Sequence, residues 1–169
     1  MRYFYQPDRR FPEEKASRYV KQVLDAFIYL QSLDILHRDL KPENLLNCLG
    51  QVKVADFGWS VCANSAKRKT FCGTLDYVPP EMALGDNYDC KTDNWAIGVL
   101  CYEFLIGKPP FETKSSISTL ESIKKGELVF PSHLSADARD FISKLLVHDP
   151  PRRMTLEQAI HHSFVTKHN

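Results

Sequence analysis

His37-Arg38-Asp39-Leu40-Lys41-Pro42-Glu43-Asn44, then Leu45-Leu46-Asn47, Gln51-Val52-Lys53-Val54-Ala55 and Asp56-Phe57-Gly58, is the stretch on which the reading of this 169-residue chain turns. Residues 37–44 carry a histidine, two basic side chains, two carboxylates and an amide, which is too much chemistry for a simple connector. The two short extended runs behind them meet around Gly50 and predict a small hairpin. Asp56-Phe57-Gly58 follows across that hairpin, 12 positions after Asn44.

Working outward, a helix is written on the N-terminal side. Pro12 suits a first-turn position, and Glu13 and Glu14 complement the positive end of the helix dipole. Ala16, Tyr19, Val20, Val23, Leu24, Phe27 and Leu30 then recur on one face at helical spacing. On the C-terminal side, residues 56–81 run without periodicity, rich in Gly, Ser, Thr, Pro and basic side chains. Loops that long inside a domain are functional or mobile. A helix starting near Asp93 is apolar almost all round, through Trp95, Ile97, Val99, Leu100, Phe104 and Leu105, and belongs at the centre of a helical domain. Gly107 and Pro109-Pro110 stop it. Three more helices follow: one near 116–125, one after the cap Ser135, and one opened by the capping box Thr155-x-x-Gln158. The expected fold is mostly α (α+β), one domain with a minor hairpin.

Composition narrows the function. The 22 basic and 21 acidic residues leave a net charge of +1, which offers no general field for nucleic acid or membrane. Five cysteines, odd in number and never spaced C-x-x-C, argue for free thiols in a reducing compartment over disulfides or zinc. No signal-peptide pattern opens the sequence, and its most apolar run, 95–106, is too short to span a bilayer and is interrupted by Glu103. These features point to a soluble intracellular protein.

Residues 37–44 match the protein-kinase catalytic-loop pattern H-R-D-L-x-x-x-N in full, and Asp56-Phe57-Gly58 matches the metal-binding motif expected one hairpin later. The pairing at this distance is far more specific than either motif alone. Phosphoryl transfer to a hydroxyl needs a carboxylate to orient and deprotonate the acceptor, and cations to hold phosphate oxygens. Asp39 is the candidate catalytic carboxylate. Lys41 reaches the transferring phosphate and marks a serine/threonine rather than a tyrosine kinase. Asn44 and Asp56 offer hard oxygen ligands suited to Mg²⁺, and with them a place for ATP. His37 is expected to be a buried, hydrogen-bonded residue beside Phe57 rather than a second base.

Three further runs strongly resemble the Aurora family of serine/threonine kinases. They are Asp56-Phe57-Gly58-Trp59-Ser60-Val61, then Thr70-Phe71-Cys72-Gly73-Thr74-Leu75-Asp76-Tyr77-Val78-Pro79-Pro80-Glu81-Met82, and the stretch from Gly98 through Gly107-Lys108-Pro109-Pro110-Phe111. The resemblance implies that Thr70 is the activating phosphorylation site and Arg38 its phosphate partner. It implies that Thr74 shapes the substrate platform beside Asp39 and Lys41, that Glu43 receives a substrate arginine, and that Leu46 forms the floor under adenine. Glu81 and Arg153 become a buried ion pair, and Asp93 a brace for the catalytic-loop backbone. Substrates are then proteins with basic residues before Ser or Thr. Family activators and chromosomal-passenger proteins become possible partners, and the nucleus and cytoplasm, with spindle, centrosome or centromere, the place of action. The run Lys67-Arg68-Lys69 before Thr70 reads either as such a basic substrate site or as a solvated cationic loop. His161 and His162 read as a surface pair at a helix C-terminus, and Cys72 as an ordinary thiol.

No G-x-G-x-x-G and no V-A-I-K occur among these residues. The resemblance therefore implies the C-terminal, helical lobe of the kinase fold over 1–169, with the N-lobe absent, a catalytic loop at 37–44 and an activation segment at 56–81. A portion of a longer kinase, a naturally shortened product and a degenerate copy all fit; the intact motifs argue against degeneration, and the first is the preferred reading. The competing function is a non-catalytic lobe that docks substrates or competes for kinase partners.

Overall fold

The computed structural model describes residues 10–62 and 73–169. In chain order they form α1 (Glu13–Ser32), β1 (Ile35–Leu36), β2 (Leu45–Cys48), β3 (Gln51–Val54), β4 (Val61–Cys62), α2 (Pro80–Ala83), α3 (Lys91–Ile106), α4 (Ser116–Lys125), α5 (Ala136–Leu145), α6 (Leu156–Ile160) and α7 (Ser163–Thr166). Single 3₁₀ turns lie at Pro42–Asn44, Leu75–Tyr77 and Pro150–Arg152.

The centre of the molecule is α3, buried continuously from Thr92 to Tyr102. A helix apolar all round needs neighbours all round, and α1 and α5 both pack against it. The approach of α5 is close enough to require a glycine: a Cβ on Gly98 would lie 2.8 Å from Leu146 Cδ2 and 2.9 Å from Leu145 Cβ. Gly107, at φ +92°, ends α3 by donating its N–H to the Glu103 carbonyl at 2.7 Å. On α1 the buried residues are the expected stripe from Ala16 to Leu30, with Ser17 added. Ser17 is tolerated there because its Oγ donates to the Phe164 carbonyl at 2.9 Å.

Most local expectations hold with small shifts. Pro12 is the N-cap of α1 rather than a residue of its first turn, and α3 begins at Lys91, two positions before Asp93. Ser135 caps α5 by accepting from Ala138 N at 3.1 Å, and the capping box of Thr155 and Gln158 is complete. The hairpin pairs Leu45 with Val54 and Cys48 with Gln51. Its two turn residues, Leu49 and Gly50, both have positive φ, the backbone that matches the twist of a two-residue hairpin.

The stretch 56–81 is not uniformly irregular. It holds β4, the turn at Leu75–Tyr77 and the start of α2, and β4 pairs antiparallel with β1. Strands of two residues are too short to show alternation, so no pattern announced them. His162 is not half of a surface pair: it caps α7, its side chain is 9% exposed, and Nε2 lies 2.8 Å from Asp140 Oδ2. His161 alone stays exposed.

Candidate active site

The catalytic-loop residues are held from below by α3. Asp93, at the first turn of that helix, accepts the His37 and Arg38 backbone N–H groups, one on each carboxylate oxygen, both at 2.9 Å. Burial pushes the Asp93 carboxyl up, and the two N–H bonds hold it back. The brace matters because Arg38 sits at φ +66°, a left-handed conformation that non-glycine residues adopt at a cost. His37 is fully buried; Nε2 lies 3.1 Å from the Ala55 carbonyl and its ring 5.0 Å from that of Phe57.

Asp39 emerges from this platform with both oxygens engaged. Oδ1 accepts from Thr74 N and Thr74 Oγ1, each at 3.1 Å; Oδ2 accepts from Asn44 Nδ2 at 3.0 Å and from Lys41 Nζ at 2.9 Å. Lys41 Nζ also donates to Thr74 Oγ1 at 2.9 Å. Thr74 arrives from the far side of the activation segment because Gly73 allows it. At φ +89°, a Cβ on Gly73 would lie 2.6 Å from the Arg38 carbonyl oxygen, so any other residue would push the segment off the loop.

The hairpin explains why Asn44 and Asp56 belong together. Asn44 precedes β2, Asp56 follows β3, and the Ala55 N–H donates to the Asn44 carbonyl at 2.8 Å, closing that end. Asn44 is buried and spends Nδ2 on the Asp39 carbonyl and carboxylate, which leaves Oδ1 as its acceptor. Asp56 is exposed at φ +62°, and Gly58 N donates to its Oδ1 at 3.2 Å. One carboxylate and one amide oxygen form a hard donor set that fits Mg²⁺ better than a softer metal. Leu46, on β2, is partly exposed, as are Phe57 and Trp59.

Below the activation segment, Glu81 and Arg153 form a fork-to-fork pair at 2.9 and 3.0 Å. Arg153 also donates to the carbonyls of Val147, Lys91 and His148, at 3.0, 2.7 and 3.5 Å, so all five of its N–H groups are used. Its side chain is 0% exposed and lies over Trp95, 5.1 Å from the ring centroid.

Sequence reasoning missed an acidic cluster beside Glu43. The Tyr77 hydroxyl donates a hydrogen bond to Glu103. Burial, foremost, raises the Glu103 carboxyl; the Tyr77 bond opposes this, and Glu43, Glu112 and Asp76 raise it further. Asp76 is raised by burial and by Glu112, and burial with the charge of Glu103 pushes the Tyr77 phenol well above its usual range. Among the described residues none of the four carboxylates forms an ion pair. The signal available in the sequence was Glu103, the one charge in the apolar body of α3 after its first turn. Thr70, residues 67–69 and Cys72 lie outside the described residues.

A buried, four-fold coordinated carboxylate, an amide and a second carboxylate at one hairpin end, and an anchored segment lying across them define a phosphotransferase lobe. The sequence profile of the protein kinase domain matches residues 1–165, and the chain belongs to that family. The mostly helical fold with its small hairpin is that of a kinase C-terminal lobe. Within the family the chain is similar to Aurora kinases. It is 48% identical to Aurora kinase A-B of Xenopus laevis over 161 residues, 95% of this chain and 40% of that protein. It is 51% identical to the Aurora kinase of Patiria pectinifera over 156 residues, 92% of this chain and 38% of the relative. It is also 51% identical to the Aurora kinase of Schizosaccharomyces pombe over 162 residues, 95% of this chain and 46% of the relative. The chain thus spans about two-fifths to half the length of these relatives.

Proposed function

We propose that this chain supplies the catalytic and substrate-binding lobe of an Aurora-type serine/threonine kinase. The observation that carries the reading is the Asp39 carboxylate, fixed by Thr74, Asn44 and Lys41, with Asp56 following the strand whose end closes on Asn44. Asp39 orients the acceptor hydroxyl and takes its proton, and the four donors hold it where the hydroxyl must arrive. Lys41 places a positive charge beside the same point, where negative charge develops on the phosphoryl oxygens. Bound Mg²⁺-ATP supplies the γ-phosphoryl group and neutralises its charge; Asn44 and Asp56 would hold the metal, and Leu46 would lie under the adenine.

The substrate class follows from the acidic cluster. Glu43 and Glu112 are exposed and Asp76 and Glu103 half-buried; burial foremost, then neighbouring carboxylates, raise Asp76 (Glu112) and Glu103 (Glu43, Glu112 and Asp76). A guanidinium entering there relieves repulsion and pairs with Glu43 and Glu103 together, which favours arginine shortly before the phosphoacceptor. Mitotic protein substrates, Thr70 as the activating phosphosite with Arg38 as its partner, and action at the spindle or centromere belong to the same reading, supported by the Aurora likeness.

Magnesium dependence tests the assignment. In the full-length protein, Asp56→Asn should raise the Mg²⁺ concentration needed for half-maximal turnover by about tenfold or more, with peptide affinity kept. A variant with unaltered Mg²⁺ dependence would remove Asp56 from the metal site.

A further inference from the structure

We infer that Tyr88 is a positioning residue that aims Arg38. The inference rests on the proposed reading of Arg38 as the receiver of the Thr70 phosphate, and it deepens that reading by naming what orients the guanidinium. Arg38 Nε donates to the Trp59 carbonyl and Nη1 donates to the Tyr88 hydroxyl, both at 2.7 Å. A guanidinium has five N–H groups in one plane. Two of these are committed, from opposite sides of the planar group, and among the described residues one Nη1–H with both Nη2–H groups remain. Two tethers on a planar group fix both its position and the direction of its remaining donors.

The two tethers differ in kind. Trp59 offers a backbone carbonyl from the segment that follows Asp56-Phe57-Gly58. Tyr88 offers a hydroxyl from a ring that is 8% exposed and packed with Val78 and Met82, in a small apolar cluster of its own at the end of the activation segment. Arg38 therefore links the two flanks of the activation segment through its side chain, while its backbone N–H is fixed to Asp93. An arginine that must capture a phosphate loses less freedom on doing so when its fork is already aimed. Removing the Tyr88 hydroxyl frees Nη1 to rotate with the chain and leaves a single tether on Nε.

The experiment is a double-mutant cycle in the full-length protein. The stimulation is the ratio of turnover with Thr70 phosphorylated to turnover with Thr70 unphosphorylated, measured in wild type, Tyr88→Phe, Arg38→Ala and the double variant. Loss of one aimed, charge-assisted bond should lower that ratio by about fivefold to tenfold in Tyr88→Phe. It should also speed phosphatase removal of the Thr70 phosphate by a similar factor. In the Arg38→Ala background Tyr88→Phe should change neither readout. Loss of stimulation that persists in that background would make Tyr88 a packing residue and overturn the inference, as would an unchanged ratio with unchanged phosphatase sensitivity. A wild type not stimulated by Thr70 phosphorylation would fail one step earlier: it removes the switch, and the role of Tyr88 with it.

Discussion

Arg153 and Arg38 show two uses of one side chain. Arg153 is 0% exposed, and all five of its N–H groups have acceptors, among them both oxygens of Glu81. Arg38 is half-buried, spends two N–H groups on Trp59 and Tyr88, and among the described residues keeps the rest. The first arrangement is saturated and can only be broken. The second is partly filled and can take one more anionic partner. The same contrast divides the lobe: the α3 side is closed by packing and anchored by the Glu81–Arg153 pair, while the catalytic-loop side presents oriented groups that can still take a partner.

The anchor should give the largest stability effect. Arg153→Ala leaves the Glu81 carboxylate buried without its partner, and strips donors from three carbonyls. A loss of about 3–5 kcal/mol is expected, read as a large drop in the thermal midpoint. Glu81→Ala should cost as much for the converse reason. A drop of less than ~1 kcal/mol in both would erase the contrast between the two arginines.

On the accessible side the effects should fall on turnover. Thr74→Val removes the hydroxyl that bridges Lys41 and Asp39 but keeps the Thr74 N–H bond to Asp39. Turnover should fall by about tenfold while the melting midpoint barely moves. Comparable losses of stability and rate would mean that Thr74 belongs to the closed half instead.

The smallest effect is expected at Glu103, where function and stability pull in opposite directions. Its carboxyl is raised above the ordinary 4.5 in the folded chain, chiefly by burial. Folding therefore takes up a proton there, and the ionised form costs stability at pH values above the raised pKa. Glu103→Gln should raise the thermal midpoint modestly at pH 7. The gain should fade as pH drops through the raised value and vanish below 4.5, where both states of the wild type are protonated. The same variant should raise KM for arginine-containing peptides by several-fold and leave peptides without arginine unaffected. A Gln variant less stable than wild type at pH 7 would contradict the burial argument.

How much of this was readable from the chain depends on how local each feature is. The catalytic loop, the hairpin, the caps at Ser135 and Thr155 and the α1 stripe are written in contiguous residues. The pairing of β1 with β4, α2 and α7 are too short for any period to register. Tyr77 with Glu103, and Arg38 with Tyr88, join residues 26 and 50 positions apart, and neither partner carries a mark of the other. His162 looked like half of an exposed pair because its partner, Asp140, lies 22 positions upstream on another helix.

Asp39 is the residue whose loss should cost catalysis most. In the full-length protein, transfer of labelled γ-phosphate from Mg²⁺-ATP to an arginine-containing serine peptide should fall by about a thousandfold or more in Asp39→Asn. Nucleotide affinity and melting midpoint should stay close to wild type. Transfer by Asp39→Asn within a few-fold of wild type would show that the carboxylate held by Thr74, Asn44 and Lys41 is a structural node, and the catalytic reading of the lobe would be wrong.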